Sequence, residues 1–360
     1  MLSVYLKPTN YCAINCDHCY LPLPTRQNKD RMSLSTLQNT AKFLAQMMEK
    51  FKHQHCHIIW HGGEPLNMPT DWYWQAGEIL DKIIPNHSES MQTSLLAFRQ
   101  DIVELVHQRF ASELGSSMDF SLRKLNNEAH LYQQRWLDKV KLARSEKIEI
   151  IPGVVPGKQD INHAEKIVSW FIKHQFMQFN FERFNSFGQI LPDRPSNKQH
   201  AHFLTSLFDN LMSRFKNNKP TPLVGIITSA IRGVLYQNPG DRWGGRCQSD
   251  FIVIEPDGSL NNCPDKSSFE KPMSNSNQST NKFISAPLRR QWIQIQTLTH
   301  KTPDCADCNY YNWCKSGCPI TPHEEECAGY YSFLNHIKHF SKQPDGLNYL
   351  EGYLNLRKLQ

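Results

Sequence analysis

The sequence predicts an α/β fold built on a parallel sheet, followed by a cysteine-rich region. Three observations point there. Over the first half of the chain, short apolar runs alternate with stretches of helical periodicity. Near residue 190 the character changes, and longer helical stretches take over. The cysteines fall in two groups that lie far apart in the chain. Strands in series with helices between them favour parallel pairing, because a parallel neighbour is reached only by a crossover long enough to hold a helix.

Taken in order, the first strand is Leu2–Leu6, ending at Pro8. The stretch after Ser33 places Leu37, Ala41, Leu44, Met48 and Phe51 at three-to-four spacing, which makes one apolar helix face. His57–Trp60 reads as a second strand, followed by a helix over Trp72–Ile84. A third strand over Thr93–Phe98 leads to a helix near Asp101–Phe110. A fourth over Ser117–Leu122 leads to a helix across Leu131–Ala143. A fifth over Ile148–Val155 leads to a helix near Ala164–His174, and Phe179–Phe184 is the sixth. Parallel sheets gather their ligand sites at the carboxyl ends of the strands. Further on, His200–Lys216 and Ile226–Tyr236 read as helices. Phe251–Glu255, Pro256-Asp257-Gly258 and Ser259–Cys263 read as a hairpin with a tight turn. Ser267–Lys282 is polar and reads as a mobile loop, and Gly329–Phe340 as a closing helix.

The 360 residues suffice for one large domain and a smaller one. A net charge of +6 is too weak a bias to argue for nucleic acid as a partner. The N-terminus lacks the pattern of a secretion signal, and no apolar stretch is long enough to span a membrane. A cytoplasmic protein without membrane contact is expected. In that compartment thiols stay reduced, so a disulfide framework is not expected for the 11 cysteines, and those in the two tightly spaced groups read as metal ligands.

The first group is Cys12-x3-Cys16-x2-Cys19, in the loop that follows the first strand. A [4Fe–4S] cluster has four irons and is usually held by four thiolates. Three thiolates on one loop leave one iron open to a small molecule. The competing reading is a zinc site completed by His18 or by a distant ligand. Further along, His61-Gly62-Gly63-Glu64-Pro65 ends the second strand. Its glycines permit close backbone approach to a ligand, and Glu64 can pair with a cation.

At these residues the sequence resembles the radical S-adenosylmethionine (SAM) superfamily, whose signature CxxxCxΦC it carries with His18 as the aromatic. The resemblance implies that Cys12, Cys16 and Cys19 hold a [4Fe–4S] cluster whose open iron chelates SAM. One-electron reduction then yields methionine and a 5′-deoxyadenosyl radical. It implies that Gly62, Gly63 and Glu64, similar to the family's GGEP motif, bind the SAM amino group. Ser117-Met118-Asp119 resembles the family's S-x-D, in which the serine contacts the cofactor. Glu182-Arg183, at the end of the sixth strand, faces SAM or substrate on this reading, with a surface ion pair as the alternative.

The second group is Cys247, ten residues, Gly258, four residues, Cys263, and after a gap Cys305-x2-Cys308-x5-Cys314-x3-Cys318, then Cys327. A zinc site would account for Cys305 to Cys318 but leave the other three unused. The whole pattern resembles the SPASM extension of radical SAM enzymes. That resemblance implies two auxiliary [4Fe–4S] clusters: one on Cys247, Cys263 and Cys318, the other on Cys305, Cys308, Cys314 and Cys327. With the SAM-binding cluster this makes three. Some relatives supply an eighth cysteine just before the first of the seven. Here Asn238–Trp243 has none, leaving Asp241, another ligand or substrate to complete the first auxiliary cluster. Asp265, two residues after Cys263, is the candidate base. Sulfatase-maturating relatives place an aspartate directly beside the corresponding cysteine. Cys56 reads as a buried apolar thiol, and His53, His55, His57 and His61 as ordinary strand histidines.

The resemblance implies a partial (β/α)6 TIM-like barrel over residues 1–190, a helical connector over 191–240, a SPASM domain over 241–340 and a tail over 341–360. Relatives of this kind mostly modify peptides or proteins. Only 11 residues precede Cys12, so no N-terminal peptide-recognition domain is expected. The leading expectation is abstraction of a side-chain hydrogen from a ribosomally made precursor peptide and closure of a carbon–carbon (cyclophane) or thioether crosslink. The electron source would be an external one-electron reductant of the flavodoxin or ferredoxin type. The alternatives are a sulfatase-maturase-like enzyme that forms formylglycine, and a non-catalytic iron–sulfur binding or sensing protein.

Overall fold

A computed structural model describes residues 1–14, 16–185, 191–240, 243–244, 250–267, 271–297, 305–322 and 324–356. The fold is mixed α/β, and the chain packs as two compact units, neither continuous in sequence. The first comprises Met1–Met118, Arg123–Ile151 and Arg246–Gln294; the second comprises Asp119–Leu122, Pro152–Gly245 and Ile295–Gln360.

In the first unit the strands are β1 (Leu2–Thr9), β2 (Cys56–Gly62), β3 (His87–Thr93), β4 (Glu113–Ser117), β8 (Phe251–Ile254), β9 (Ser259–Asn261) and β10 (Ser274–Asn275). Numbers β5 (Glu149–Val154), β6 (Gln178–Phe181) and β7 (Leu223–Val224) complete the chain order. The sheet of the first unit runs β10-β9-β8-β1-β2-β3-β4. β1 lies between two parallel neighbours, with Val4 opposite Ile58 on β2 and Ile252 on β8. Covered on both faces, its end is buried throughout, including the fully enclosed Lys7. The hairpin expected from Phe251 to Cys263 is present, with Ile254 paired to Leu260. The sequence did not foretell that this late hairpin lies beside the first strand.

Leu34–Phe51 is helical as the spacing predicts, but the buried face stops short of its end, with Met48 half-buried and Phe51 exposed. Ser33 caps it by accepting from the Thr36 backbone N–H at 3.0 Å. Leu37, Ala41, Phe43, Leu44 and Met47 are buried, and Lys52 ends it in the left-handed region. In the second unit the end of β5, from Pro152 on, runs parallel to β6 and β6 to β7, with Val154 opposite Phe181 and Phe179 opposite Val224. The helix Asn197–Lys216 opens on a reciprocal capping box between Ser196 and Gln199. The stretch expected as a tail contains a further helix, Gly346–Leu354.

Three local expectations need correction. The third strand is His87–Thr93 rather than Thr93–Phe98, and the fourth is Glu113–Ser117 rather than Ser117–Leu122. Ser267–Lys282, expected as a loop, holds β10 and the start of a helix, Thr280–Ser285. Phe283 is fully buried there and packs edge-on to Phe43, with ring centroids 5.7 Å apart. Buried contact of that kind orders a segment that polar composition alone would leave loose. Among the described residues no helix is long and apolar enough to cross a membrane.

Candidate radical SAM site

The loop with Cys12, Cys16 and Cys19 leaves β1 at its carboxyl end, and the glycine motif leaves β2 beside it. The two are stitched together through the backbone. Gly63 N–H donates to Thr9 carbonyl (3.1 Å) and Glu64 N–H to Tyr11 carbonyl (2.9 Å), while Cys12 N–H reaches Arg26 carbonyl (3.0 Å). The approach leaves no room for side chains. A β-carbon on Gly62 would lie 2.4 Å from the Thr9 carbonyl oxygen, and one on Gly63 2.2 Å from that of Asn10. Gly62 also sits at φ +124, which disfavours any other residue.

Glu64 is held from several sides. It is 3% exposed, and its carboxylate accepts from Leu66 N–H (3.0 Å), Thr93 Oγ1–H (2.5 Å), Ser94 N–H (2.9 Å) and the Ser94 hydroxyl. Its oxygens bind the turn after β2 to the turn after β3. The Ser117 hydroxyl, at the end of β4, accepts from Gln92 Nε2 at 3.1 Å. His18 is half-buried in the cysteine loop.

Tyr20, Lys7 and Asn10 carried no sequence signal for this site. Tyr20 donates its hydroxyl to Gly62 carbonyl (3.1 Å) and stands 3.2 Å from His61 Nδ1. His61, stacked on Tyr5 at 4.8 Å, is lowered to a pKa of about 3 by burial, with the Lys7 and Arg123 charges adding to it. It is therefore neutral at physiological pH, and its Nδ1 accepts from Gly62 N–H at 2.8 Å. Lys7 donates to Glu255 (2.7 Å) and Ser267 (2.9 Å), and Asn10 donates to the other Glu255 oxygen (2.8 Å). This network fixes β1 to the segment just after Cys263. The aspartate expected as base, Asp265, lies in the short helix Pro264–Ser267 of the same segment. The other histidine of β2, His57, hydrogen-bonds across the sheet to Ser90 (2.9 Å). Cys56 is wholly buried, and burial pushes its thiol up to about 12.

The second unit holds Cys305, Cys308, Cys314, Cys318 and Cys327, whereas Cys263 belongs to the first. Cys247 and Asp241 lie outside the described residues. The thiols of Cys314 and Cys327 flank Gly329, where a β-carbon would meet them at 2.5 and 3.7 Å. Cys327 and Cys308 are both close enough to raise the Cys314 thiol further, beyond the larger effect of its burial. Asn185 Nδ2 reaches the Cys318 thiol at 3.6 Å. Arg183 turns towards these loops. Its Nη1 donates to Ala328 carbonyl, and its guanidinium lies over the Tyr330 ring at 4.3 Å and that of Trp243 at 5.9 Å. Its neighbour Glu182 is exposed and accepts from Asn180 Nδ2 at 2.6 Å.

The donor sets fit iron–sulfur clusters. The thiols are soft ligands on short loops, with glycines against them that keep side chains away. Burial pushes the Cys12 thiol up to about 11 and the Cys314 thiol up to about 12. Both are protonated without metal, so loading a cluster displaces protons. Among the described residues no three His, Cys, Asp or Glu side chains close on a single ion. A tetrahedral zinc site needs that convergence. The ligands of a cubane bind different irons.

No protein-family model matches the chain. Among curated proteins it is similar to the cysteine-type anaerobic sulfatase-maturating enzyme of Clostridium novyi (strain NT), 22% identical over 334 residues, covering 88% of this chain and 87% of that protein. An uncharacterised protein of Archaeoglobus fulgidus is 24% identical over 335 residues, covering 90% of this chain and 75% of the other. Among solved structures the fold is similar to native anSMEcpe with bound AdoMet and Cp18Cys peptide, with TM-score 0.77, 18% identity and coverage of 98% and 99%. It is also similar to Streptococcus suis SuiB bound to precursor peptide SuiA, with TM-score 0.62, 13% identity and coverage of 90% and 75%. The fold is that of these solved structures, and the sequence is similar to a sulfatase-maturating enzyme over most of both lengths.

Proposed function

We propose that this chain is a radical SAM maturase that oxidises a side chain of a peptide and closes an intramolecular crosslink in it. The observation that carries the reading is the packing of the Gly62-Gly63 turn against the Cys12–Cys19 loop, supported by the thiols gathered around Gly329. With the cluster and SAM bound, the chemistry supplied is one-electron cleavage of SAM to a 5′-deoxyadenosyl radical that abstracts hydrogen.

The chain's own residues position and protect that chemistry. Cys12, Cys16 and Cys19 would hold the SAM-binding cluster. The Gly62 and Gly63 backbone would receive the SAM amino group, with Glu64 fixing the turn, while His18 and Ser117 would contact the cofactor. Tyr20 and neutral His61 would hold the Gly62 peptide in place without adding charge. Cys247, Cys263 and Cys318 would hold one auxiliary cluster, and Cys305, Cys308, Cys314 and Cys327 the other. Forming an oxidised product would release a second electron, which an auxiliary cluster would supply the means to accept, and a proton, which Asp265 would take. Glu182, exposed and past β6, is the second candidate to hold it. The first electron would come from a flavodoxin or ferredoxin, and the substrate would be a precursor peptide, like the SuiA bound to Streptococcus suis SuiB.

The similarity to a sulfatase-maturating enzyme favours a second reading, in which the product is formylglycine. Mass spectrometry after turnover separates the two. The chain is reconstituted anaerobically with iron and sulfide, then given SAM, dithionite and either a precursor peptide encoded beside it or a sulfatase-site peptide. Crosslinking predicts a product lighter by two hydrogens that does not react with a hydrazide. A hydrazide-reactive aldehyde would establish formylglycine instead, and an unchanged mass with deuterium uptake from solvent would establish epimerisation.

A further inference from the structure

The cysteine loops of the second unit enclose a positive charge with no negative partner among the described residues. Arg183 Nη2 is buried and has no hydrogen-bond partner. Its guanidinium is otherwise immobilised by the Ala328 carbonyl and by the Tyr330 and Trp243 rings. The other arginine near these loops, Arg194, is neutralised by Glu324 (2.6 Å) and fixed by Asn197 (3.0 Å). No carboxylate among the described residues pairs with Arg183. A second buried donor without a partner, Ser316 Oγ, lies between Cys314 and Cys318. Lys315, Ser316 and Gly317 all have positive φ, at 50, 60 and 69, a run that only a strongly determined surrounding maintains.

A buried cation needs an anion, and buried donors need acceptors. The ligands around Arg183 state what that anion is. Ala328, whose carbonyl it binds, follows Cys327 directly, and the Arg183 charge reaches Cys314. We propose that Arg183 sets the reduction potential of the auxiliary cluster held by Cys305, Cys308, Cys314 and Cys327, with Ser316 donating to the same cluster. A [4Fe–4S] cluster in its oxidised state carries a net charge of −2 with four thiolates, and one added electron takes it to −3. A fixed guanidinium favours the more negative state, and hydrogen bonds to sulfur act in the same direction. The cluster is thereby made a better acceptor for the single electron that the substrate radical gives up. This inference rests on the function proposed above.

The test is an EPR-monitored potentiometric titration of the full-length chain, reconstituted with iron and sulfide and reduced stepwise with dithionite. Wild type, Arg183→Gln, Arg183→Lys and Ser316→Ala are compared. Arg183→Gln should shift the midpoint of one auxiliary signal downwards, Arg183→Lys should restore most of it, and Ser316→Ala should shift it downwards by less. The SAM-binding cluster, identified by the change in its signal on adding SAM, should keep its midpoint. An unmoved auxiliary midpoint in iron-replete Arg183→Gln overturns the inference. Loss of the cluster from both Arg183 variants also overturns it and assigns Arg183 to holding the loop. Absence of any auxiliary signal in wild type, with zinc bound instead, is a separate failure, that of the functional reading.

Discussion

Gly63 is where one atom decides most. A methyl group there would lie 2.2 Å from the Asn10 carbonyl oxygen and 2.6 Å from that of Tyr11, both backbone atoms that cannot swing aside. Gly63→Ala should cost about 1–3 kcal/mol by overpacking and displace the cysteine loop. Iron analysis and SAM-dependent 5′-deoxyadenosine formation should both fall, and retention of wild-type values would show that the loops do not depend on each other. Lys7 is the second such residue. Removing one partner of a buried ion pair costs about 3–5 kcal/mol, so Lys7→Met should be strongly destabilising, and Lys7→Met with Glu255→Leu should recover much of the loss in urea denaturation. Burial works to raise the Glu255 carboxyl, but the Lys7 charge and the hydrogen bonds around it outweigh that and hold it below its ordinary value of 4.5. A lowered folded pKa contributes stability that is present above 4.5 and lost as the pH falls below it. Unfolding midpoints measured downwards from pH 5 should therefore drop more steeply in wild type than in the double variant. None of this was legible beforehand, because a lysine inside an apolar strand gives no sign of a partner 248 positions away.

Elements were legible where their burial is one-sided and hidden where charge is buried. The helix Leu34–Phe51 follows its apolar face and its Ser33 cap. β3 was misplaced because His87-Ser-Glu-Ser-Met-Gln-Thr93 reads as polar. The strand forms because Glu89 is neutralised by Arg109 and accepts from Trp60 Nε1 at 2.7 Å. The apolar run that follows is instead a turn, with Leu95 at φ +68. That turn carries Ser94, which Glu64 holds. Glu64→Ala would strand buried donors on Leu66, Thr93 and Ser94, at about 1–3 kcal/mol for each group left unsatisfied. Glu64→Gln keeps an acceptor and should lose less. Urea denaturation, with calorimetric titration of SAM, should rank wild type above Glu64→Gln above Glu64→Ala. Equal values for the two variants would mean that the turn does not depend on this carboxylate.

At the scale of the molecule, chemistry was more legible than topology. The ten cysteines of the two spaced groups give the soft-metal reading from their order alone. Spacing along the chain could not announce that the late hairpin pairs with β1, with Val253 opposite Tyr5, because strand partnership across that distance is set by packing. Nor could it show that Arg183 serves the second cysteine group, since its partners, Trp243, Ala328 and Tyr330, are remote in sequence. The central claim is that the Cys12–Cys19 loop and the Gly62-Gly63 turn together make a site for reductive SAM cleavage. Its most direct test is chromatographic detection of 5′-deoxyadenosine after anaerobic incubation of the iron-loaded chain with SAM and dithionite. Wild type should form it and Cys16→Ala should not. Absence of 5′-deoxyadenosine from fully iron-loaded wild type, or equal amounts from Cys16→Ala, would contradict the account.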